Sequence, residues 1–209
     1  MEKKILIEYN PADPESIERF SKRMIGYTFR EITGANEIPK KSKKNGNNKG
    51  GLGQLIEENF FGYECNSESR ADFDEAGVEL KVTPFRMDKK GNISAKERLI
   101  LTMIDYFKIV EDDVFEESHM WAKCKLLLLV YYLYEERIKN RLDYTVKYSC
   151  LFSPPEQDKI IIKNDYDFIV NKIKAGRAHE LSEADTFYLG AATKGRGKGR
   201  DLVQQPYSD

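Results

Sequence analysis

Apolar positions along this chain form several kinds of run, and each predicts a different element. Asp13-Pro14-Glu15 starts a helix, with Asp as the cap and Pro at the first helical position. Ile17, Phe20, Met24 and Phe29 extend it as a roughly helical stripe that Gly34 closes. A second stripe, Leu52, Leu55, Ile56 and Phe60, predicts a helix from about Gly51 to Phe61. Asn164–Gly176 predicts a third, with Phe168, Ile169 and Ile173 inward. Strands are predicted at Val78–Thr83 (stopped by Pro84), near Arg98–Ile104, at Lys123–Tyr134 and Tyr144–Phe152, with a last short one at Phe187–Ala192. The run Lys125–Val130 is apolar on both faces, as a central strand covered by helices on both sides would be. Strands and helices are interspersed, which predicts an α/β domain with a mixed sheet.

Composition narrows the class. A chain of 209 residues and 24.2 kDa is one ordinary domain or at most two small ones, with 40% hydrophobic and 33% charged residues. The longest apolar run, Leu126–Leu133, is far short of a bilayer span, so no membrane partner is expected. Lys3 and Lys4 precede only Ile5-Leu6-Ile7 before Glu8 interrupts, which does not read as a signal peptide. Three scattered cysteines, Cys65, Cys124 and Cys150, exclude a disulfide scaffold and a CxxC zinc site and suggest a reducing cytoplasm. Cys124 and Cys150 fall in apolar strands and are expected in the core.

A net charge of −1 does not advertise a nucleic-acid binder, so any such role must come from local patches. Two exist. Lys40–Lys49 holds five lysines and no acid, and in Lys194-Gly195-Arg196-Gly197-Lys198-Gly199-Arg200 every second residue is basic. Both can be solvated loops or phosphate contacts, since glycine lets backbone approach an anion and Lys or Arg supplies charge. No GxxxxGK[ST] can be laid on the second patch, so it is not a P-loop.

The most informative segment is Asp72-Phe73-Asp74-Glu75-Ala76-Gly77-Val78-Glu79-Leu80-Lys81-Val82-Thr83. Side chains alternate along a strand, so Glu79 and Lys81 share one face, expected to be accessible, while Val78, Leu80 and Val82 share the other, expected to bury. Asp72 in the preceding loop can bring a second carboxylate to the same spot. Two carboxylates and a lysine suit metal-assisted phosphodiester cleavage: hard oxygens hold Mg²⁺, and the lysine orients water or stabilises the transition state. The pattern is weak alone, because composition gives roughly 0.15 chance matches in this chain. An amphipathic strand with a surface Glu and Lys would look the same.

Context adds specificity. Lys49-Gly50-Gly51-Leu52-Gly53-Gln54-Leu55-Ile56-Glu57, followed by the Asp72, Glu79 and Lys81 array, resembles the MutH/Sau-three-A family of GATC-specific endonucleases with the PD-(D/E)xK fold. The restriction-enzyme branch is closer still, through Glu75–Lys81, Lys96-Glu97-Arg98-Leu99, Ala178-His179-Glu180-Leu181-Ser182-Glu183 and Gln205-Pro206-Tyr207-Ser208-Asp209. The resemblance runs from about Lys40 to the end. It implies a restriction-endonuclease-like mixed sheet flanked by helices, Asp72 and Glu79 as metal ligands, and Lys81 as the catalytic lysine. It further implies that Glu57 is an additional active-site carboxylate that ligates metal, with Glu58 as the alternative by one position. Lys123 falls where the family has another active-site lysine, although a surface lysine on a strand would look the same. Lys194 falls in the family's DNA-reading loop, where a lysine suits guanine O6 and N7. Lys49, His179, Arg196, Lys198 and Arg200 are implied as DNA contacts. Isolated His119 and His179 lack HNH or HExxH spacing and read as structural or phosphate-contacting, not catalytic.

The expected activity is Mg²⁺-dependent type II restriction cleavage of double-stranded DNA at GATC, leaving 5′-phosphate ends. The alternatives are a MutH-like mismatch-repair nickase and a non-cleaving DNA-binding module of the same fold. Residues 1–209 are expected to be a single catalytic domain, the N-terminal part of a longer polypeptide. A monomer is expected in solution, with two copies pairing on the palindromic site.

Overall fold

The computed structural model describes residues 8–38, 51–63, 70–111, 114–192 and 205–207. The chain divides into two compact units, Met1–Ile100 with Leu126–Ser153 and Leu101–Lys125 with Pro154–Asp209.

The first unit opens with α1 (Pro14–Ser21), capped as expected by Asp13, whose side chain accepts from the Glu15 N–H. The predicted stripe to Phe29 is not one helix. After a 3₁₀ turn at Lys22–Met24 the chain turns at Gly26 (φ 92°) and restarts as α2 (Phe29–Thr33). The Thr28–Glu31 capping box starts α2, and Gly34 ends it in the left-handed conformation. The physical reason for the interruption is pairing with a distant strand: the Gly26 N–H donates to the Val146 carbonyl, and the Val146 N–H to the Tyr27 carbonyl. Next comes α3 (Gly51–Leu55), which widens into a π-helical segment at Ile56–Phe61. That extra residue per turn rotates the apolar face, so Phe61 is buried where Phe60 was expected, and Glu57 is buried with it.

Four strands make one mixed sheet, in the order β2 (Ile93–Ala95), β1 (Glu79–Met87), β3 (Leu127–Leu133), β4 (Val146–Phe152). β1 and β3 run parallel, and the outer pairings are antiparallel. β3 is the interior strand that its leucine run predicts, with Leu127, Leu128, Leu129 and Val130 all buried. β1 does not stop at Pro84. The Pro84 carbonyl accepts from the Lys96 N–H, on the β2 side. Proline's missing N–H would lie on that same side, beyond the end of β2, so no bond to β3 is lost.

In the second unit, α4 (Tyr106–Ile109), α5 (His119–Ala122) and the long α6 (Glu156–Lys174) pack through Phe115, Met120, Cys124, Tyr166 and Val170 and through Ile169, Ile173 and Ala178. α6 starts eight residues earlier than predicted, and its Phe168 is exposed, not inward. The strands expected near Arg98–Ile104 and at Phe187–Ala192 are not formed. Leu101, Ile104 and Leu189 are instead single apolar anchors of irregular segments against the helical clusters. The strand expected from Lys123 begins only at Leu127, so Cys124 lies in the turn after α5. Burial pushes its thiol up to about 12, while Cys150 is half-buried on β4 opposite Leu129. No helix among the described residues is long and apolar enough to cross a membrane.

Candidate active site

The six-residue spacing between Asp72 and Glu79 has a structural cause. Asp74–Gly77 forms a tight turn, closed by the Gly77 N–H on the Asp74 carbonyl, with Gly77 at φ 64°. Phe73 and Val78 then exchange both backbone hydrogen bonds, at 2.9 and 3.2 Å. Counting back one residue on each arm sets Asp72 opposite Glu79. The Asp72 carboxylate accepts the Leu80 N–H at 2.9 Å, which seats it at the start of β1. Phe73 is gripped by Phe61 and Tyr63, with ring centroids 5.0 and 5.2 Å away, so the turn is tied to the segment that carries Glu57.

Strand alternation places Glu79 and Lys81 side by side as expected, with Lys81 Nζ 2.7 Å from Glu79 Oε1. The face is not the accessible one that alternation alone suggests. Glu79 is only 5% exposed, and Thr83 and Phe85 further along the same face are buried too. Lys81 supplies a nearby cation that offsets the cost of taking the Glu79 carboxylate out of water. Glu57 is 4% exposed, and its backbone carbonyl accepts the N–H groups of Gly62 and Tyr63 at the π-helical end. Its neighbour Glu58 is half-buried and accepts from Gln54 Nε2 at 2.9 Å.

Lys123 belongs to the second unit, where it caps the C-terminus of α5. It is 8% exposed and is therefore not a surface lysine on a strand. His119 bonds Thr102 Oγ1 at 3.0 Å through Nε2, a structural contact. His179 is exposed, with Nδ1 3.4 Å from Gln205 Nε2. Lys49, Lys194, Arg196, Lys198 and Arg200 lie outside the described residues.

One arrangement escaped sequence reasoning. Asp165 on α6 is buried, and its carboxylate accepts the backbone N–H groups of Phe187, Tyr188 and Leu189. A signal was present: Asp165, Ile169 and Ile173 are four residues apart, which puts a charge in an otherwise apolar stripe.

Asp72 and Glu79 offer hard oxygen donors, suited to a divalent cation that retains water ligands. Among the described residues no three His, Cys, Asp or Glu side chains converge. A cation held here would therefore complete its shell with backbone carbonyls, water or phosphate oxygens.

The family model described as "DNA mismatch repair enzyme MutH" matches residues 61–165, half of the chain and all of the segment that builds the Asp72, Glu79 and Lys81 array. The chain belongs to the MutH family. The fold of that family is restriction-endonuclease-like, which agrees with the mixed sheet seen here, and restriction-endonuclease homology points to a divalent metal. Type II restriction enzyme Sau3AI of Staphylococcus aureus is 36% identical over 197 residues, which covers 93% of this chain and 38% of that enzyme. DNA mismatch repair protein MutH of Shewanella amazonensis is 26% identical over 178 residues, 82% of this chain and 75% of that protein. This MutH-family chain thus spans well under half the length of the restriction enzyme it matches.

Proposed function

We propose that the chain is the catalytic part of a type II site-specific deoxyribonuclease that hydrolyses double-stranded DNA at GATC. Mg²⁺ is the proposed cofactor, and 5′-phosphate and 3′-hydroxyl ends are the proposed products. One observation carries the reading. In a chain 36% identical to a type II restriction enzyme, the Asp74–Gly77 turn sets Asp72 opposite Glu79 and beside the Glu79–Lys81 ion pair. Asp72 and Glu79 would hold the cation, with water and phosphate oxygens in place of the third carboxylate expected at Glu57, which does not converge with them. The cation would supply charge neutralisation at the phosphate and a more acidic water. Lys81, released from Glu79, donates to the attacking water or to the charged phosphate oxygens. The water oxygen bonds to phosphorus and gives up a proton to solvent, the bond from phosphorus to the 3′-oxygen breaks, and that oxygen takes a proton from a solvent water as it leaves. Lys123 is proposed as a second active-site ammonium. Lys194 is proposed to read guanine from the major groove, and Lys49, His179, Arg196, Lys198 and Arg200 to contact DNA around it. The protein is proposed to act in the cytoplasm as a monomer that pairs on DNA.

The match to three quarters of a mismatch repair protein favours a nickase as the second reading. Digestion of a GATC-bearing plasmid with Mg²⁺ separates the readings. Linear product with GATC ends supports restriction, open circles support nicking, and binding without cleavage would leave only a DNA-binding module.

A further inference from the structure

The segment after the last short helical turns of the second unit is fastened unusually well for one that forms no helix or strand. Ser182 and Asp185 form a capping box, and Lys172 on α6 bonds the Asp185 carboxylate at 3.0 Å and the Glu180 carbonyl at 2.9 Å. Two residues on, Asp165 takes over. Its Oδ2 accepts the Tyr188 and Leu189 N–H groups at 2.7 and 3.0 Å, and Phe187 donates to both oxygens at 3.1 and 3.2 Å. Three consecutive donors converging on one buried carboxylate fix the backbone of this turn.

The side chains so fixed do not repay that cost by burial. Leu189 packs inward against both helical clusters, but Phe187 is 90% exposed and Tyr188 is 60% exposed. With Ile161, Asn164 and Phe168 of α6 they line an open groove, whose acidic members, Asp165 and Asp185, are engaged by the Phe187–Leu189 amides and by Lys172. A rigid turn that presents two aromatic rings to water is organised for a partner, not for the core.

Basic residues a short distance down the chain indicate the partner. Lys194 lies five residues beyond Leu189 and opens the run of alternating basic residues to Arg200. Five residues span at most about 18 Å, about half of one 34–36 Å turn of duplex. A duplex engaged at Lys194 therefore lies close to the two rings.

We infer that Phe187 and Tyr188 contact bases of the bound duplex, with Asp165 as the positioning residue that holds them. Aromatic rings meet DNA through thymine methyl groups or as wedges at base steps, and neither contact uses a phosphate. This rests on the proposed DNA-binding function.

The test is titration of a GATC duplex with the full chain in Ca²⁺ at several salt concentrations, for wild type, Phe187→Ala/Tyr188→Ala and Asp165→Asn. Thermal midpoints are measured alongside. The double-ring variant is expected to bind about tenfold more weakly, with an unchanged midpoint and an unchanged salt slope, because no phosphate contact is lost. Asp165→Asn, with both rings present, is expected to lose affinity similarly at temperatures where it stays folded. Wild-type affinity in the double-ring variant overturns the inference, as does a ring-dependent dimer of the free protein in light scattering. A wild-type chain that binds no duplex would instead overturn the DNA-binding reading itself, a result visible before any variant is made.

Discussion

Glu79 and Asp165 are both 5% exposed, one in each compact unit, and their negative charges are balanced in opposite ways. Glu79 is paired with a side-chain ammonium, that of Lys81. Asp165 faces three backbone amides. An ammonium on a flexible four-carbon stem can leave when another cation arrives, so the carboxylate beside it can exchange partners during a reaction cycle. Backbone amides cannot leave without unfolding the turn they belong to, so the Asp165 carboxylate is committed to holding structure. Burial alone does not distinguish the carboxylate proposed to work from the structural one; the mobility of its counter-charge does.

This contrast has measurable consequences. Glu79→Gln and Asp72→Asn keep shape and, at Asp72, an acceptor for the Leu80 N–H. Plasmid cleavage by either is expected to fall to background while the thermal midpoint moves little. Lys81→Ala should lower the single-turnover rate at saturating enzyme by about 10²–10³, the usual worth of one transition-state donor, with a much smaller change in duplex affinity. Asp165→Ala should do the reverse of the Glu79 variant. It leaves three part-buried backbone N–H groups without their acceptor, and chemical denaturation should show a loss of about 1–3 kcal/mol. Lys194→Ala should cost about 1–3 kcal/mol in binding to GATC duplex and less on scrambled duplex, with the cleavage rate of bound DNA little changed.

The smallest effect concerns a third carboxylate, fully exposed. The Thr28 backbone N–H and hydroxyl hold the Glu31 carboxyl below the usual range. A depressed carboxylate contributes stability above its unfolded pKa, about 4.3, and that contribution is lost as pH falls through the lower folded value. The thermal midpoints of wild type and Glu31→Ala should therefore differ slightly at pH 7 and converge toward pH 3.

Much of the first unit was legible because its residues answer to local rules. The leucine run of β3 needs cover on both faces, and alternation places Glu79 beside Lys81 whatever surrounds them. What misled was always a partner far away in the chain. The pairing of Gly26 and Tyr27 with Val146 interrupts a stripe that looks continuous, and the position of β2 decides that Pro84 is tolerated. Apolar residues at Arg98–Ile104 and Phe187–Ala192 resemble strands because an anchor such as Leu101 or Leu189 has the same chemistry as a sheet residue. At the site, residue types and spacing were readable, but burial was not. Lys123 resembles a surface lysine until its place at the end of α5 is seen.

Pro84 and Asp72 also shape the side of β1 that faces away from β3. Among the described residues, no strand pairs with Glu79–Pro84 on the side away from β3, so this stretch of β1 is a sheet edge of the kind that recruits strands from other molecules. Backbone direction alternates along a strand, and the donors facing that edge belong to Leu80, Val82 and Pro84. Leu80 is occupied by the Asp72 carboxylate, and Pro84 has no N–H to offer. A foreign strand would find one usable donor in three and a negative charge beside it. The aspartate proposed for metal binding thus also takes up a backbone donor on this side of β1, so replacing it by a residue with no acceptor would free that donor.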